Sequence, residues 1–298
     1  MRIALLHNPA AGRGRGEGLA RQFAAGLSAA GHEVRAGDVR TGGALAGELI
    51  AWSQAVVVAG GDGTLHHLLP LLAGSGRGVY QAALGTENLF AREFGHVAQL
   101  GAIVAALEAG HARDVDVGEL SAGEERRSFA IMASLGPDAG VVHRLDATRR
   151  GAITHASYMA PTLAELRAPS MPRLTVRVDG RDVVTDRRGM VVVANLRRYA
   201  LGVNPAPAAR GDDGLLDVVF LPAETAVRAL ANLVACRLGL GERCGAVRAR
   251  GARVELTSTP TTPVQADGEP IRWSGRTDAY QSRIAVSIRP EKLRVHQA

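Results

Sequence analysis

The stretch Val56-Val57-Val58-Ala59-Gly60-Gly61-Asp62-Gly63-Thr64-Leu65-His66-His67 constrains the fold more than any other part of the chain. An apolar run ends in three glycines, one carboxylate and one hydroxyl within five positions, and an amphipathic segment follows at once. A short continuous apolar run bounded by such a turn reads as a strand buried on both faces, inside a parallel sheet covered by helices. Glycines permit positive φ and let backbone N–H groups approach a ligand closely, and a helix beginning just after the turn favours an anion. Gly60-Gly61-Asp62-Gly63-Thr64 therefore reads as a phosphate cradle. Thr64 fits either a helix cap or a donor to a phosphate oxygen. Asp62 would repel a bare phosphate and suits the site when Mg²⁺ or a substrate hydroxyl mediates. The competing structural reading is a tight strand-to-helix turn with Asp62 as its cap.

The same order of elements recurs on both sides of this turn. Strands are expected at 2–7, 32–35, 55–59 and 79–83, and helices at 17–30, 44–52, from 64, from 87 and at 97–109. Alternation of this kind means parallel strands with helices on both faces. Two further small-residue loops then fall at strand ends: Asn8-Pro9-Ala10-Ala11-Gly12 through Gly16, and Leu84-Gly85-Thr86-Glu87-Asn88. Ligands of open α/β sheets bind at that edge. No Gly-Lys-Ser/Thr occurs, which excludes a Walker-type phosphate loop, and no lysine stands where a protein kinase needs one.

Beyond residue 110 strands dominate, at 114–120, 128–136, 173–180, 190–196, 215–221, 252–258 and 283–289, with Asp179-Gly180 as a hairpin turn. Helical stretches near 138–146, 154–167 and 224–238 interrupt them. A length of 298 residues sits closer to two domains than one. The texture change divides the chain into an α/β domain at 1–115 and a mainly antiparallel β domain at 116–284, with 285–298 free to return to the first.

Nothing in the sequence approaches the roughly 20 apolar residues of a membrane span, and the N-terminus meets polar residues too soon for a signal peptide, so a cytoplasmic protein is expected. Cys236 and Cys244 lack the spacing of a disulfide framework or zinc site. A net charge of +6 suggests acidic partners, yet Lys292 is the only lysine among 35 basic residues, the mark of a compositional drift toward arginine. Aromatics at 4% leave few stacking platforms, which moves nucleic acid down the list of partners.

Taken together, Asn8-Pro9 with Gly12, Gly60-Gly61-Asp62-Gly63-Thr64, Gly85-Thr86 with Asn88, Asp213-Gly214-Leu215-Leu216-Asp217 and Asp267-Gly268-Glu269 resemble the diacylglycerol kinase catalytic-domain superfamily, which includes bacterial lipid kinases and sphingosine kinases. The matches keep the family's order and span almost the whole chain. The resemblance implies an N-terminal nucleotide-binding domain, a C-terminal β-sandwich carrying the lipid site, and catalysis between them. It implies ATP and Mg²⁺ as cofactors and a lipid substrate; transient contact with the inner membrane surface, the option of a homodimer and no nucleic acid complete the expected partners. Asp62 and its flanking glycines then match the nucleotide and Mg²⁺ loop, Thr86 a hydroxyl contact, and Thr41 a further nucleotide-contacting threonine. Glu269 matches the general base that takes the lipid hydroxyl proton, with Asp267 beside it. Asp213, with the carbonyls of Arg210 and Leu215, resembles a structural Mg²⁺ site. By position alone the competing readings are a solvated Asp-Gly hairpin and an acidic surface turn.

The chain also departs from the family. Leu65-His66-His67 stands where bacterial relatives carry an apolar residue, Asn and Glu, and neighbouring helical residues point about 100° apart, which argues against shared metal ligation by the two imidazoles. Pro70 predicts a short or kinked helix. Glu87 and Leu89 replace a small residue and Asp around Asn88. Arginines at 149, 150, 197 and 198 suit anionic lipid or simply a soluble exterior. Two alternatives to an ATP-dependent lipid kinase follow: a dinucleotide kinase, for which Thr277-Asp278-Ala279-Tyr280-Gln281-Ser282 is a poor substitute for the expected motif, and a regulator that binds nucleotide or lipid without catalysis.

Overall fold

The computed structural model describes residues 1–148, 155–273 and 283–297. Two compact units divide the chain: Met1–Val115 together with Pro290–Ala298, and Asp116–Arg289. In the first, strands β1 (Arg2–His7), β2 (Glu33–Asp38), β3 (Ala55–Gly60) and β4 (Gly78–Ala83) run parallel in the order β2-β1-β3-β4. The last strand of the chain, Leu293–His296, adds parallel to β4, and β5 (Ala112–Val115) closes the sheet antiparallel to it. Every residue of β3 is buried, as its apolar run requires. The helices Gly16–Ala29 and Leu100–Ala109 cover the sheet, with Phe23, Leu27, Ile103 and Leu107 packed on Ile3, Leu5 and Val57.

The second unit contains β6 (Gly118–Ala122), β7 (Glu125–Phe129), β8 (Met132–Leu135), β9 (Arg173–Val178), β10 (Arg181–Ala194), β11 (Leu216–Pro222), β12 (Val247–Gly251), β13 (Arg253–Thr259), β14 (Val264–Ala266), β15 (Glu269–Pro270) and β16 (Arg283–Ile288). All pair antiparallel, in two layers that share β10, whose first part pairs with β9 and whose second pairs with β8 and β11. Gly189 marks the passage between layers, where a Cβ would come within 2.8 Å of the Phe220 ring. Inward residues of both layers, among them Leu174, Val176 and Val286 from one and Val191, Val218 and Phe220 from the other, make one core. The expected Asp179-Gly180 hairpin joins β9 to β10 with φ of 48° and 80°, the left-handed pair such a turn needs.

Two expected strands are each broken in two. The run at 114–120 splits at buried Asp116, whose N–H donates to the Gly211 carbonyl and whose carboxylate accepts from Gly214 N at 2.8 Å, so β5 and β6 belong to different sheets. The run at 128–136 splits because the amides of Ala130, Ile131 and Met132 turn to the Asp267 carboxylate instead of a ladder. The returning segment is also shorter than 285–298: β16 pairs with β13 and β6 in the second unit, and the chain crosses back only from Pro290. Pro70 lies inside the helix Asp62–Leu72, near its end, and the helix continues through it to Leu72. Arg149, Arg150 and the stretch 277–282 lie outside the described residues.

His96 ties the returning strand to β4. Its Nδ1 accepts from Gln81 N at 3.2 Å, its Nε2 donates to the His296 carbonyl at 2.9 Å, and Tyr80 stacks on the ring at 4.1 Å. These partners fix a neutral tautomer, and burial pushes the imidazole pKa down to about 4. The folded value lies below the unfolded one, so stability is complete above pH 6.5 and falls as pH drops from there toward 4. The expected loss is up to about 3 kcal/mol. Urea unfolding at pH 7 and pH 4.5 should show it, and His96→Gln, which carries no proton switch, should lose most of that pH dependence.

Candidate active site

Because β1 to β4 are parallel, the loops after them all open at one edge of the first unit's sheet. The strand order reverses between β1 and β3, the position where open α/β sheets bind ligands. Three of the sequence-predicted loops are brought together there. Asn8 N bonds the Ala59 carbonyl at 3.1 Å, Gly12 N bonds the Leu84 carbonyl at 3.0 Å, and Leu84 N bonds the Gly60 carbonyl at 3.1 Å. Thr41 follows β2 at the same edge, exposed, with its hydroxyl donating to the Asp38 carbonyl at 2.7 Å.

Gly61 and Gly85 touch backbone to backbone. A Cβ on Gly61 would stand 2.9 Å from the Gly85 Cα, and one on Gly85 would stand 2.7 Å from the Gly61 Cα. Asp62 reaches across this contact, and its two oxygens accept from Leu89 N at 3.0 Å and Phe90 N at 3.1 Å, the first amides of the helix Leu89–Phe94. It is thus a cap, but for the neighbouring helix rather than its own. Thr64 is buried with its side chain over Gly60, where a Cβ would come within 2.5 Å, and the cap position of its helix is Gly61. Asn88, in left-handed conformation at φ 49°, accepts from Gly85 N at 2.7 Å and donates to the Gly85 carbonyl at 2.8 Å. Asn8 accepts from Ala10 N at 3.0 Å. Both asparagines therefore shape their own loops. Thr86 is half-buried in the same loop, and Pro9 and Gly63 lie at the edge beside these groups.

Charge at this edge comes from residues that the motifs did not single out. Arg13, at φ 61°, and Arg15 project from the first loop, with Arg15 donating to the Gly12 carbonyl at 3.1 Å. Cations interleaved with glycines after a first strand are the signal that would have found them. His7, buried at the end of β1, bonds Glu17 at 2.7 Å, and this contact, with Arg21, holds the Glu17 carboxyl below its usual range. His67 sits with Nδ1 2.6 Å from the Gly63 carbonyl. Among the described residues no group of three or more His, Cys, Asp or Glu side chains forms a metal cluster.

In the second unit Asp267 and Glu269 flank one tight turn but differ in kind. Asp267 is buried, at φ 53°, and its carboxylate accepts from the amides of Ala130, Ile131 and Met132 at 2.8, 2.8 and 3.1 Å. That makes it an anchor for the turn. Glu269 is half-buried, and its carboxylate has no hydrogen bond or ion pair among the described residues. Gln265 holds the turn from the other side: its Oε1 accepts from Gly268 N at 2.9 Å and its Nε2 donates to Ser134 Oγ at 2.7 Å. Ser134 and Tyr199 both donate to Asp138 at 2.5 Å, and burial raises the Asp138 carboxyl.

The expected metal site at Arg210, Asp213 and Leu215 is arranged otherwise. Asp213 accepts from Leu215 N at 3.1 Å and pairs with the Arg250 guanidinium, which also lies 3.3 Å from Asp217, while Arg210 pairs with Asp212 at 3.2 Å. A guanidinium already neutralises the carboxylates that a magnesium ion would need, so this donor set does not fit the ion.

Residues 2–120 match the family model described as the diacylglycerol kinase catalytic domain, and residues 131–297 match the YegS C-terminal NAD kinase beta sandwich-like domain. A protein of Pseudomonas aeruginosa named "Probable lipid kinase YegS-like" is 32% identical over 255 residues, covering 84% of this chain and 78% of that one. A "Diacylglycerol kinase" of Mycobacterium tuberculosis is 27% identical over 276 residues, covering 90% and 88%. A solved diacylglycerol kinase from Bacillus anthracis superposes with TM-score 0.69 at 15% identity over 100% of this chain and 96% of its own, and an NAD kinase from Archaeoglobus fulgidus in complex with ATP with TM-score 0.56 at 15% identity over 100% and 94%. At those identities the structures speak to the fold, an α/β domain followed by an antiparallel β domain. The paired family matches and the 32% identity go further: this chain belongs to the diacylglycerol kinase catalytic-domain family, in the company of the YegS-like lipid kinases.

Proposed function

We propose that this protein transfers the γ-phosphoryl group of ATP to the hydroxyl of a lipid such as diacylglycerol, acting from the cytoplasm at a membrane surface. The observation that carries the reading is the convergence of three glycine-bearing loops at the switch point of a parallel sheet, with Gly61 against Gly85 leaving backbone exposed to a ligand. The loops Asn8–Gly12, Gly60–Thr64 and Gly85–Asn88 would cradle the phosphates, Thr41 and Thr86 would contact the nucleotide, and Arg13 and Arg15 would add positive charge at the edge. Asp62, fixed at the loop by the amides of Leu89 and Phe90, would hold magnesium, directly or through water. When bound, Mg²⁺ supplies charge neutralisation for the transferred group. Glu269, with no protein partner among the described residues, would take or orient the acceptor proton, and Asp267 with Gln265 would hold it in place. Incubation with γ-labelled ATP and total lipid extract, beside a parallel reaction with NAD, tests the reading: label in lipid supports it, label in NADP makes the chain a dinucleotide kinase, and label in neither leaves a binding regulator.

Two substitutions separate holding from chemistry. Glu269→Gln keeps the size of a side chain with no partner among the described residues, so unfolding should be unchanged while kcat falls about 10²–10⁴-fold with ATP affinity intact. Calorimetric ATP titration beside the turnover assay checks this, and near-normal turnover removes Glu269 as the base. Asp62→Ala should abolish transfer and also cost about 1–3 kcal/mol of stability, because two amides at the start of Leu89–Phe94 lose their acceptor. Denaturant titration reads the second effect, and an unaltered midpoint would show that the capping contributes nothing.

A further inference from the structure

The helix Ala226–Arg237 turns its larger apolar side chains to solvent. Its buried positions are Ala226, Ala229, Asn232 and Cys236, whereas Val227, Leu230, Val234 and the capping Leu238 are 74%, 41%, 50% and 67% exposed. At about 100° per residue these four fall on a single stripe, with Arg228 and Arg237 on its two sides. The helix Met159–Arg167 contacts this one and exposes Met159 and Leu163, one turn apart. Leu201, exposed and held at φ 56°, adjoins it, because the Arg237 guanidinium covers the neighbouring Gly202. Exposed apolar side chains gathered on one stripe of a helix, with more on the helix it contacts, mark a contact surface.

The charges around it identify the partner. Arg167, Arg228, Arg237 and Arg243 have no ion pair among the described residues, whereas Arg173, Arg177 and Arg248 of the same unit are matched by Asp186, Asp182 and Glu242. The two helices contain one acidic residue, Glu165, and it is buried against Arg144 at 2.8 Å. A second copy of the chain docked face to face would set these arginines against one another with no carboxylate to answer them. An anionic lipid surface answers both features: acyl chains for the aliphatic stripe and headgroup phosphates for the guanidinium groups. We propose that this face, built from Met159–Arg167 and Ala226–Arg237, docks the protein on anionic lipid membranes. The inference deepens the lipid-kinase reading and rests on it for the source of the substrate.

Co-sedimentation of the full chain with phosphatidylcholine vesicles, with and without phosphatidylglycerol and in the absence of nucleotide, tests it. The wild type should bind the anionic vesicles and release with added salt. The Leu230→Asp, Val234→Asp double variant should bind at least about tenfold more weakly, and Arg228→Glu, Arg237→Glu should lose the preference for phosphatidylglycerol by about fivefold per charge removed. All substituted positions are exposed, so circular dichroism and thermal midpoints should match the wild type. Wild-type protein that ignores anionic vesicles, variants that bind as it does, or a wild-type dimer that the variants convert to monomers without any vesicle binding would each overturn the proposal. Phosphorylation of a short-chain lipid dispersed below its micelle concentration should be equal in all three proteins. If no lipid is phosphorylated yet vesicle binding follows the expected order, the kinase reading fails and the docking face stands; equal vesicle binding with intact phosphorylation gives the reverse.

Discussion

The contact between Gly61 and Gly85 governs the organisation of the first unit's functional edge. Adjacent parallel strands lie about 4.8 Å apart, and the loops leaving β3 and β4 stay that close only because neither residue has a Cβ. The Leu84 N–H to Gly60 carbonyl bond carries the ladder to the last residue before the loops. Asp62 then crosses from one loop to the helix that follows the other, so the two strand ends, two turns and two helix starts form one rigid piece. Gly12 joins the third loop to it through Leu84. Phosphate binding by backbone N–H groups, as proposed for this edge, would need this rigidity, since a displacement of a few tenths of an ångström at the donors weakens every bond they make.

Carboxylates that accept backbone amides recur through the chain. Asp62 serves Leu89 and Phe90, Asp116 serves Gly214, Asp179 serves Ala252 and Arg253, and Asp267 serves three successive amides. Each satisfies N–H groups where the chain leaves regular structure, and charge-assisted bonds of this kind are stronger than neutral ones. Two of the four lie in motifs whose sequence suggests chemistry. Conformation distinguishes their duties: Asp267 is buried and saturated, while Glu269, two residues on and half-buried, has no partner among the described residues. One short motif thus contains both a carboxylate spent on the backbone and one left for other contacts.

The alternation of strands and helices was legible because period and turn chemistry are local, and the loops at the ends of β1, β3 and β4 fell where the parallel order required. The breaks at Asp116 and at 130–131 were not, because the partners that interrupt each strand lie far away in sequence, at Gly211 and Gly214 in one case and at Asp267 in the other. His96 escaped for the same reason: its meaning comes from His296, two hundred residues on. The pairing of Asp213 was not legible either, because Arg250 reaches it from a strand far along the chain. The helix Ala226–Arg237 was legible as a helix, but which of its two apolar faces is buried depends on the packing beneath it, where only small residues fit.

The Leu65-His66-His67 departure shows why fold and chemistry can change separately here. In the helix Asp62–Leu72 the buried positions are Thr64, Leu65, Leu68, Leu69 and Leu72, a helical stripe, while His66 is half-buried and His67 exposed. The family's apolar residue is kept where the stripe needs it, and both substitutions fall off the stripe. They therefore leave the packing of β3 and its helix intact and alter only the side chains carried just after the glycine turn. His67 folds back on the Gly63 carbonyl, at the start of its own helix, in a contact that an imidazole N–H can donate and an ionised carboxylate cannot. Relative to the family pattern the change removes a negative charge beside the glycine turn while Asp62, which the loop geometry requires, remains. The constraint set by Gly61 and Gly85 thus fixes what must stay, and the outer face of the following helix is where this chain is free to vary.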